Sequence, residues 1–138
     1  MHSAKQGGMM DNQIRYQVAR IAEQIVFERL QKFGYTVTKN GHNSRSDLTV
    51  NGCLTVEVKG ALRTRQTHSH GRYQFNLHNH ADVYILVCLT HPSVSFVIPG
   101  HELAGLKHVS IYSADPLKYR GKWAVYRSAW ELIDKETE

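Results

Sequence analysis

The sequence predicts an α/β (α+β) fold in which a central mixed β-sheet is flanked by helices. Three observations support this prediction: an amphipathic helical pattern near the start, a hairpin signal after it, and a buried apolar run at Val83–Leu89. Strands that are preceded and followed by helices favour one sheet with helices packed on it. With 138 residues, the chain has the length of one domain. A domain of this size buries most of its core and needs no disulfide or structural metal to fold.

The first helix is predicted to begin at Asn12 and to end near Gly34. Its apolar residues recur at three-, four- and five-residue steps: Ile14, Val18, Ile21, Ile25 and Leu30. Asp11 or Asn12 would cap its start, and glycine suits the left-handed conformation that ends many helices. Residues 1–11 are polar and show no periodicity, so we expect a flexible leader, with residues 12–138 forming a single domain.

The hairpin signal is Asn51-Gly52, between Ser46–Val50 and Cys53–Lys59. Because side chains alternate across a strand, the apolar residues of both arms share one face only if the loop has three residues. Such a loop places Gly52 in the left-handed position of a bulge. The opposite, polar face then carries three charged side chains: Asp47, Glu57 and Lys59.

The remaining elements are read from shorter patterns. The predicted strands are Tyr35–Lys39, Arg72–Leu77, a buried strand at Ala81–Leu89, its neighbour at Val94–Ile98, Val109–Tyr112 and Lys122–Tyr126. The predicted helices are a short one at His101–Leu106 and a terminal one from about Ser128. No apolar run approaches the roughly 20 residues of a membrane helix, so no membrane partner is expected. The start lacks a secretory pattern and the only cysteines are Cys53 and Cys88, which favours a cytoplasmic location with free thiols.

The charge distribution points to a phosphate-bearing partner. The chain has 17 Lys and Arg against 12 Asp and Glu, and its net charge is +5. Between Lys59 and Arg72 there are four cations and no acid. Neutralising phosphates with such cations releases counterions, which favours nucleic-acid binding. A solubilising surface is the alternative interpretation.

The polar face of the hairpin has the composition of a metal-dependent hydrolytic site. Strand geometry puts Glu57 and Lys59 about 7 Å apart on the same side, with Asp47 across the hairpin. Mg²⁺ prefers carboxylate and carbonyl oxygens, so Asp47, Glu57 and the Val58 carbonyl are the predicted ligands, with Mn²⁺ as a substitute. Lys59 would orient an attacking water or stabilise charge developing on phosphorus. These features suit phosphodiester hydrolysis.

The spacing of these residues resembles a known nuclease signature. Ser46-Asp47, nine residues, then Glu57-Val58-Lys59 is similar to the PD-(D/E)XK motif of the restriction-endonuclease-like superfamily, with serine where the name has proline. The resemblance covers roughly Ile14 to Leu103 and extends to small Holliday-junction resolvases, compact restriction enzymes and some homing endonucleases. It implies an α-β-β-β-α-β core and a Mg²⁺-dependent DNA endonuclease.

The resemblance also implies roles outside the motif. The first helix would add an acid to the site, either Glu23 or, failing that, Glu28. Gln74 would touch the metal-bound water or the scissile phosphate, although an outward polar strand residue is an equal alternative. Guanidinium groups match phosphate geometry, so the expected DNA-backbone contacts are Arg63, Arg65 and Arg72.

Two other functions remain open at this point. The chain could be a non-catalytic nucleic-acid-binding module of the same fold, or an interaction subunit with incidental charges. In either case, the two acids and Lys59 would form an exposed salt bridge worth under ~1 kcal/mol. If the chain is an endonuclease, cutting both strands requires two sites, which makes a homodimer plausible.

Overall fold

The computed structural model describes residues 3–41, 44, 46–64, 71–78 and 80–137, with the backbone alone for residues 3–11. Two α-helices lie within this part of the chain, α1 (Ser3–Lys32) and α2 (Glu131–Thr137). Seven strands accompany them: β1 (Val37–Lys39), β2 (Leu48–Val50), β3 (Leu54–Ala61), β4 (Arg72–Asn76), β5 (Val83–Cys88), β6 (Val94–Pro99) and β7 (His108–Tyr112). No helix among the described residues is long and apolar enough to cross a membrane.

The strands form two sheets. The larger has the order β1-β2-β3-β5-β6, and only its β3–β5 pair is parallel. Strands β4 and β7 form a separate antiparallel pair. The predicted α+β fold with a mixed central sheet is therefore confirmed.

The hairpin between β2 and β3 has the predicted geometry. Val50 pairs with Leu54, so the loop contains three residues, and Gly52 has a φ of 75°. Asn51 also has a positive φ, of 52°. The apolar residues of both arms are buried on one face, as predicted: Leu48, Val50, Leu54, Val56 and Val58.

Helix α1 packs on that apolar face. Ala22, Val26 and Leu30 are fully buried against β2 and β3 in one core cluster. The helix begins at Ser3, well before the predicted Asn12, so it includes most of the segment expected to be a leader. It ends at Lys32, near the predicted Gly34, whose φ of 98° lets the next N–H donate back into the last turn.

The opposite face of the central sheet is covered by the β4–β7 pair. Tyr73 and Phe75 of β4, with Val109 and Ile111 of β7, are buried in a second core cluster against β5 and β6. The central sheet is therefore enclosed on both faces, by α1 on one and by the β4–β7 pair on the other.

Two elements differ from the prediction. The implied helix between the third core strand and β5 is not found in the described residues of that connection, where the alternation of Tyr73 and Phe75 with polar residues makes β4 a strand. The predicted strand at Lys122–Tyr126 is instead a 3₁₀ turn at Ala124–Tyr126. Its neighbour Arg127 donates to the Pro116 and Tyr119 carbonyls and holds the segment in this turn.

Candidate active site

A groove forms where β3 extends beyond its partner β2. The pairing of β2 with β3 covers only Leu54–Val56, whereas the pairing of β3 with β5 runs on to Ala61. The far half of β3 therefore lies at an edge, between α1 on one side and β4 on the other. This β3-edge groove has a cavity volume of about 700 Å³. Its walls include most of the predicted site residues: Glu23, Asp47, Val58, Lys59, Arg72 and Gln74.

Asp47, just before the start of β2, hydrogen-bonds to the backbone of β3. Its backbone N–H donates to the Val56 carbonyl at 3.1 Å, and its Oδ2 accepts the Val58 N–H at 2.8 Å. In an extended strand the N–H and C=O of one residue point to the same edge, so the Val58 carbonyl also faces the groove. The structure thus places the carboxylate of Asp47 beside the two main-chain groups of Val58.

Glu57 lies deeper than the sequence predicts. Its side chain is only 2% exposed, because the β4–β7 layer covers the face that was expected to be polar and open. The Lys59 side chain is 25% exposed, and its ammonium lies 3.5 Å from Glu57 Oε2. Burial, together with the charge of Glu57, raises the pKa of the neighbouring Tyr84. A nearly buried carboxylate is costly to desolvate, so this pair is not the solvated surface bridge of the alternative interpretation.

The close packing of α1 on β3 brings Glu23 to the groove. A Cβ added at Gly60 would lie 2.6 Å from Ala22 Cβ and 3.0 Å from the Val18 carbonyl oxygen. Only glycine therefore allows the helix to approach so closely. Burial, and next the charge of Asp47, raise the pKa of Glu23 above its ordinary value. Glu28, the other candidate, is exposed and accepts a hydrogen bond from Gln24 instead.

Replacing Gly60 with alanine is expected to displace α1 and to destabilise the protein. The lower chain entropy of the unfolded alanine variant gains about 0.4–1 kcal/mol, but overpacking against backbone and Ala22 costs about 1–3 kcal/mol. We therefore expect a lower free energy of unfolding in urea denaturation. Gly41→Ala is the matched control, because nothing lies within 4 Å of its added Cβ. Equal stability of the Gly60 and Gly41 variants would refute the close approach.

Strand β4 supplies the other wall of the groove. Gln74 is half-buried and its Nε2 donates to Asn76 Oδ1 at 3.4 Å. Arg72 is half-buried, and its Nη1 donates to the Tyr112 hydroxyl at 3.4 Å. Its Nε is shielded from solvent and has no hydrogen-bond partner among the described residues. Gln74 and Arg72 therefore face the same space as Asp47 and Lys59.

The other predicted DNA contacts lie further out. Arg63 is exposed, and its Nη1 is 3.5 Å from the Ala114 carbonyl oxygen. Arg65 lies outside the residues that the structure describes. Sequence reasoning assigned no role to Arg15, Thr64, Asn76 or His78, which also line the groove. Asn76 could have been predicted from the alternation of side chains along β4. It lies two residues after Gln74, so the two side chains are on the same face of the strand.

The chemistry of these donors fits a hard divalent cation. Asp47 and Glu57 supply two carboxylates and the Val58 carbonyl a third oxygen, the ligand types that Mg²⁺ takes while keeping several waters. Within the described residues, no three His, Cys, Asp or Glu side chains form a metal-binding group. Any cation here would therefore be coordinated by two carboxylates, a main-chain oxygen and oxygens of water or substrate.

The fold has a counterpart among solved structures. No protein-family model and no curated protein sequence matches the chain. Among solved structures, the chain is similar to a bacterial homing endonuclease, I-Ssp6803I, with a TM-score of 0.68 and 23% sequence identity. The similarity covers 88% of this chain and 96% of that one. The chain therefore shares its α+β architecture with that endonuclease over nearly the full length of both.

Proposed function

We propose that this protein is a Mg²⁺-dependent DNA endonuclease whose active site is the β3-edge groove. The observation that carries the proposal is that Asp47, Glu57 and Lys59 lie where β3 runs beyond β2. Asp47 Oδ2 accepts the Val58 N–H at 2.8 Å, and the ammonium of Lys59 is 3.5 Å from the carboxylate of Glu57. Mg²⁺ held there would polarise a phosphodiester and lower the pKa of its bound water. The fold shared with a homing endonuclease supports DNA as the substrate.

The predicted site residues have distinct roles in this proposal. Asp47, Glu57 and the Val58 carbonyl hold the cation, and Mn²⁺ can replace Mg²⁺. Lys59 positions the attacking water or stabilises the charge that develops on the phosphoryl oxygens. Glu23 and Gln74 support these groups from the two walls of the groove.

A plasmid-nicking assay tests the function. We expect the protein to convert supercoiled DNA to nicked or linear DNA in Mg²⁺ or Mn²⁺ and to leave it intact in EDTA. Duplex, four-way-junction and single-stranded substrates should be compared in the same assay, to identify the form of DNA that is cut fastest. DNA binding without cleavage in either metal would instead support the non-catalytic module.

We also propose that two copies act together on duplex DNA, since the described residues of each copy supply one candidate active site and two strands must be cut. Apolar side chains of Ile14, Ile21 and Leu62 are exposed beside a second, apolar groove next to the site. A second copy covering them would remove this surface from water. Sedimentation equilibrium should give twice the chain mass, and a monomer at all concentrations would contradict the proposal.

The cations beside the groove should contribute to binding in a salt-dependent manner. We expect Arg63→Ala, alone and with Arg65→Ala, to weaken DNA binding similarly on all sequences, because phosphate contacts carry no base information. The slope of log K against log salt should fall by roughly 0.9 for each lost contact. Lys135→Ala, which removes a cation from α2, should leave the slope unchanged. An unchanged slope in the Arg63 variant would show that this segment does not face DNA.

A further inference from the structure

The β4–β7 pair has one buried face and one outward face. Its buried face consists of Tyr73, Phe75, Val109 and Ile111. Because strand side chains alternate, the outward face carries the other six, in three cross-strand pairs: Arg72 with Tyr112, Gln74 with Ser110, and Asn76 with His108. These six side chains are exposed or half-buried, and every one of them bears a hydrogen-bonding group. We call this outward face the β4–β7 ribbon.

The charge of the ribbon and its surroundings suits DNA. Residues 61–81 and 103–114, which contain both strands and the residues flanking them, include no Asp or Glu. Arg72 lies on the ribbon itself, and Lys107 directly precedes β7. A protein-binding surface would instead be expected to centre on apolar and aromatic side chains.

The ribbon is continuous with the β3-edge groove. Arg72, Gln74 and Asn76 belong to both, since they form one wall of the groove that contains Asp47 and Lys59. A DNA strand whose phosphate entered the groove would therefore run alongside the ribbon. The tight core contacts on the buried face fix the direction in which the outward side chains point.

From these observations we infer that the β4–β7 ribbon enters the major groove of the DNA and reads bases through Asn76 and Ser110. The major groove, about 12 Å wide, admits a two-stranded ribbon, and strands of five residues span about 17 Å along it. An asparagine amide matches the N6 and N7 edge of adenine, and a serine hydroxyl donates to or accepts from several bases. The inference rests on the proposed function, to which it adds a source of sequence preference.

A binding selection from a randomised duplex library, performed in EDTA, tests the inference without requiring cleavage. We expect the wild-type protein to enrich a base pattern, and Asn76→Ala and Ser110→Ala each to lose the preference at different positions. Affinity of Asn76→Ala for the wild-type pattern should fall about 10-fold or more. Affinity of Ser110→Ala for unselected duplex should stay within about 2-fold, because Ser110 does not line the β3-edge groove and its replacement removes no charge.

Gln31→Ala is the matched control, an exposed amide near the end of α1 and outside the groove. It should enrich the wild-type pattern, and a thermal melt should show that all variants are folded. A wild-type protein that enriches no pattern, or variants that retain its full pattern, would overturn the inference. Failure of the endonuclease proposal is seen separately, as intact plasmid in Mg²⁺ and Mn²⁺, so the two outcomes are distinguishable.

Discussion

Lys59→Arg is expected to lower the single-turnover rate of DNA cleavage by about 100-fold or more. The Lys59 side chain is three-quarters shielded from solvent, and its ammonium lies 3.5 Å from Glu57 Oε2. A planar guanidinium is larger, so its charge would be displaced from the position where the reacting phosphate needs it. Displacements of about 1 Å in an active site cost on the order of 100-fold in rate. Lys59→Ala should lose at least as much.

Comparing the cleavage rate of each variant with its melting temperature separates a catalytic role of Lys59 from a structural one. Lys59→Arg should bind DNA and melt close to the wild-type temperature, because the guanidinium keeps a positive charge beside Glu57. Lys59→Ala should also bind DNA but melt at a lower temperature, because it removes the cation beside a carboxylate that is only 2% exposed. Lys32→Arg, an exposed lysine at the end of α1, is the matched control for the chemical change. If Lys59→Arg cleaves at the parental rate, Lys59 is only a partner of Glu57.

Glu57→Gln is expected to abolish measurable cleavage with little change in fold stability. Glutamine keeps the shape of the side chain but removes the charge that would hold Mg²⁺. The variant loses the electrostatic attraction between Glu57 and Lys59. It also avoids the free-energy cost of removing a carboxylate from water, since this side chain is only 2% exposed. These contributions oppose each other, so we expect the free energy of unfolding to change by less than about 1 kcal/mol.

Glu57→Ala provides the contrasting variant. Removing most of a buried side chain leaves a cavity, which should cost about 2–4 kcal/mol and reduce cleavage through unfolding as well. Urea denaturation and single-turnover cleavage should be measured on both variants. A Glu57→Gln protein that cuts DNA at near the wild-type rate would exclude Glu57 from the metal site.

Local patterns predicted the part of the site that is close in sequence. The alternation along the hairpin required a three-residue loop, and that loop is present, with Val50 paired to Leu54. The same alternation grouped Asp47, Glu57 and Lys59, because cross-strand neighbours on one face depend only on register. Local patterns do not decide whether Glu23 or Glu28 lies at the candidate site, because this depends on how α1 packs across the sheet.

Features that depend on distant contacts were not predictable from local patterns. The burial of Glu57 follows from the β4–β7 layer, whose strands are separated by β5 and β6 in sequence. The approach of α1 depends on Gly60 meeting Ala22, two small residues on different elements. The 3₁₀ turn at Ala124–Tyr126 has apolar residues that also suit a strand, and the contacts of Arg127 decide between the two.

The most direct test of the active-site assignment is a Mg²⁺ titration of plasmid cleavage by wild-type and Asp47→Asn proteins purified in parallel. Asp47 Oδ2 already accepts the Val58 N–H, so asparagine can keep a hydrogen bond there while losing the negative charge. We predict Mg²⁺-dependent cleavage by the wild type and none by Asp47→Asn at any Mg²⁺ concentration, with DNA affinity within a few-fold. Equal cleavage by the two proteins would contradict the account, since the activity would then arise outside this groove.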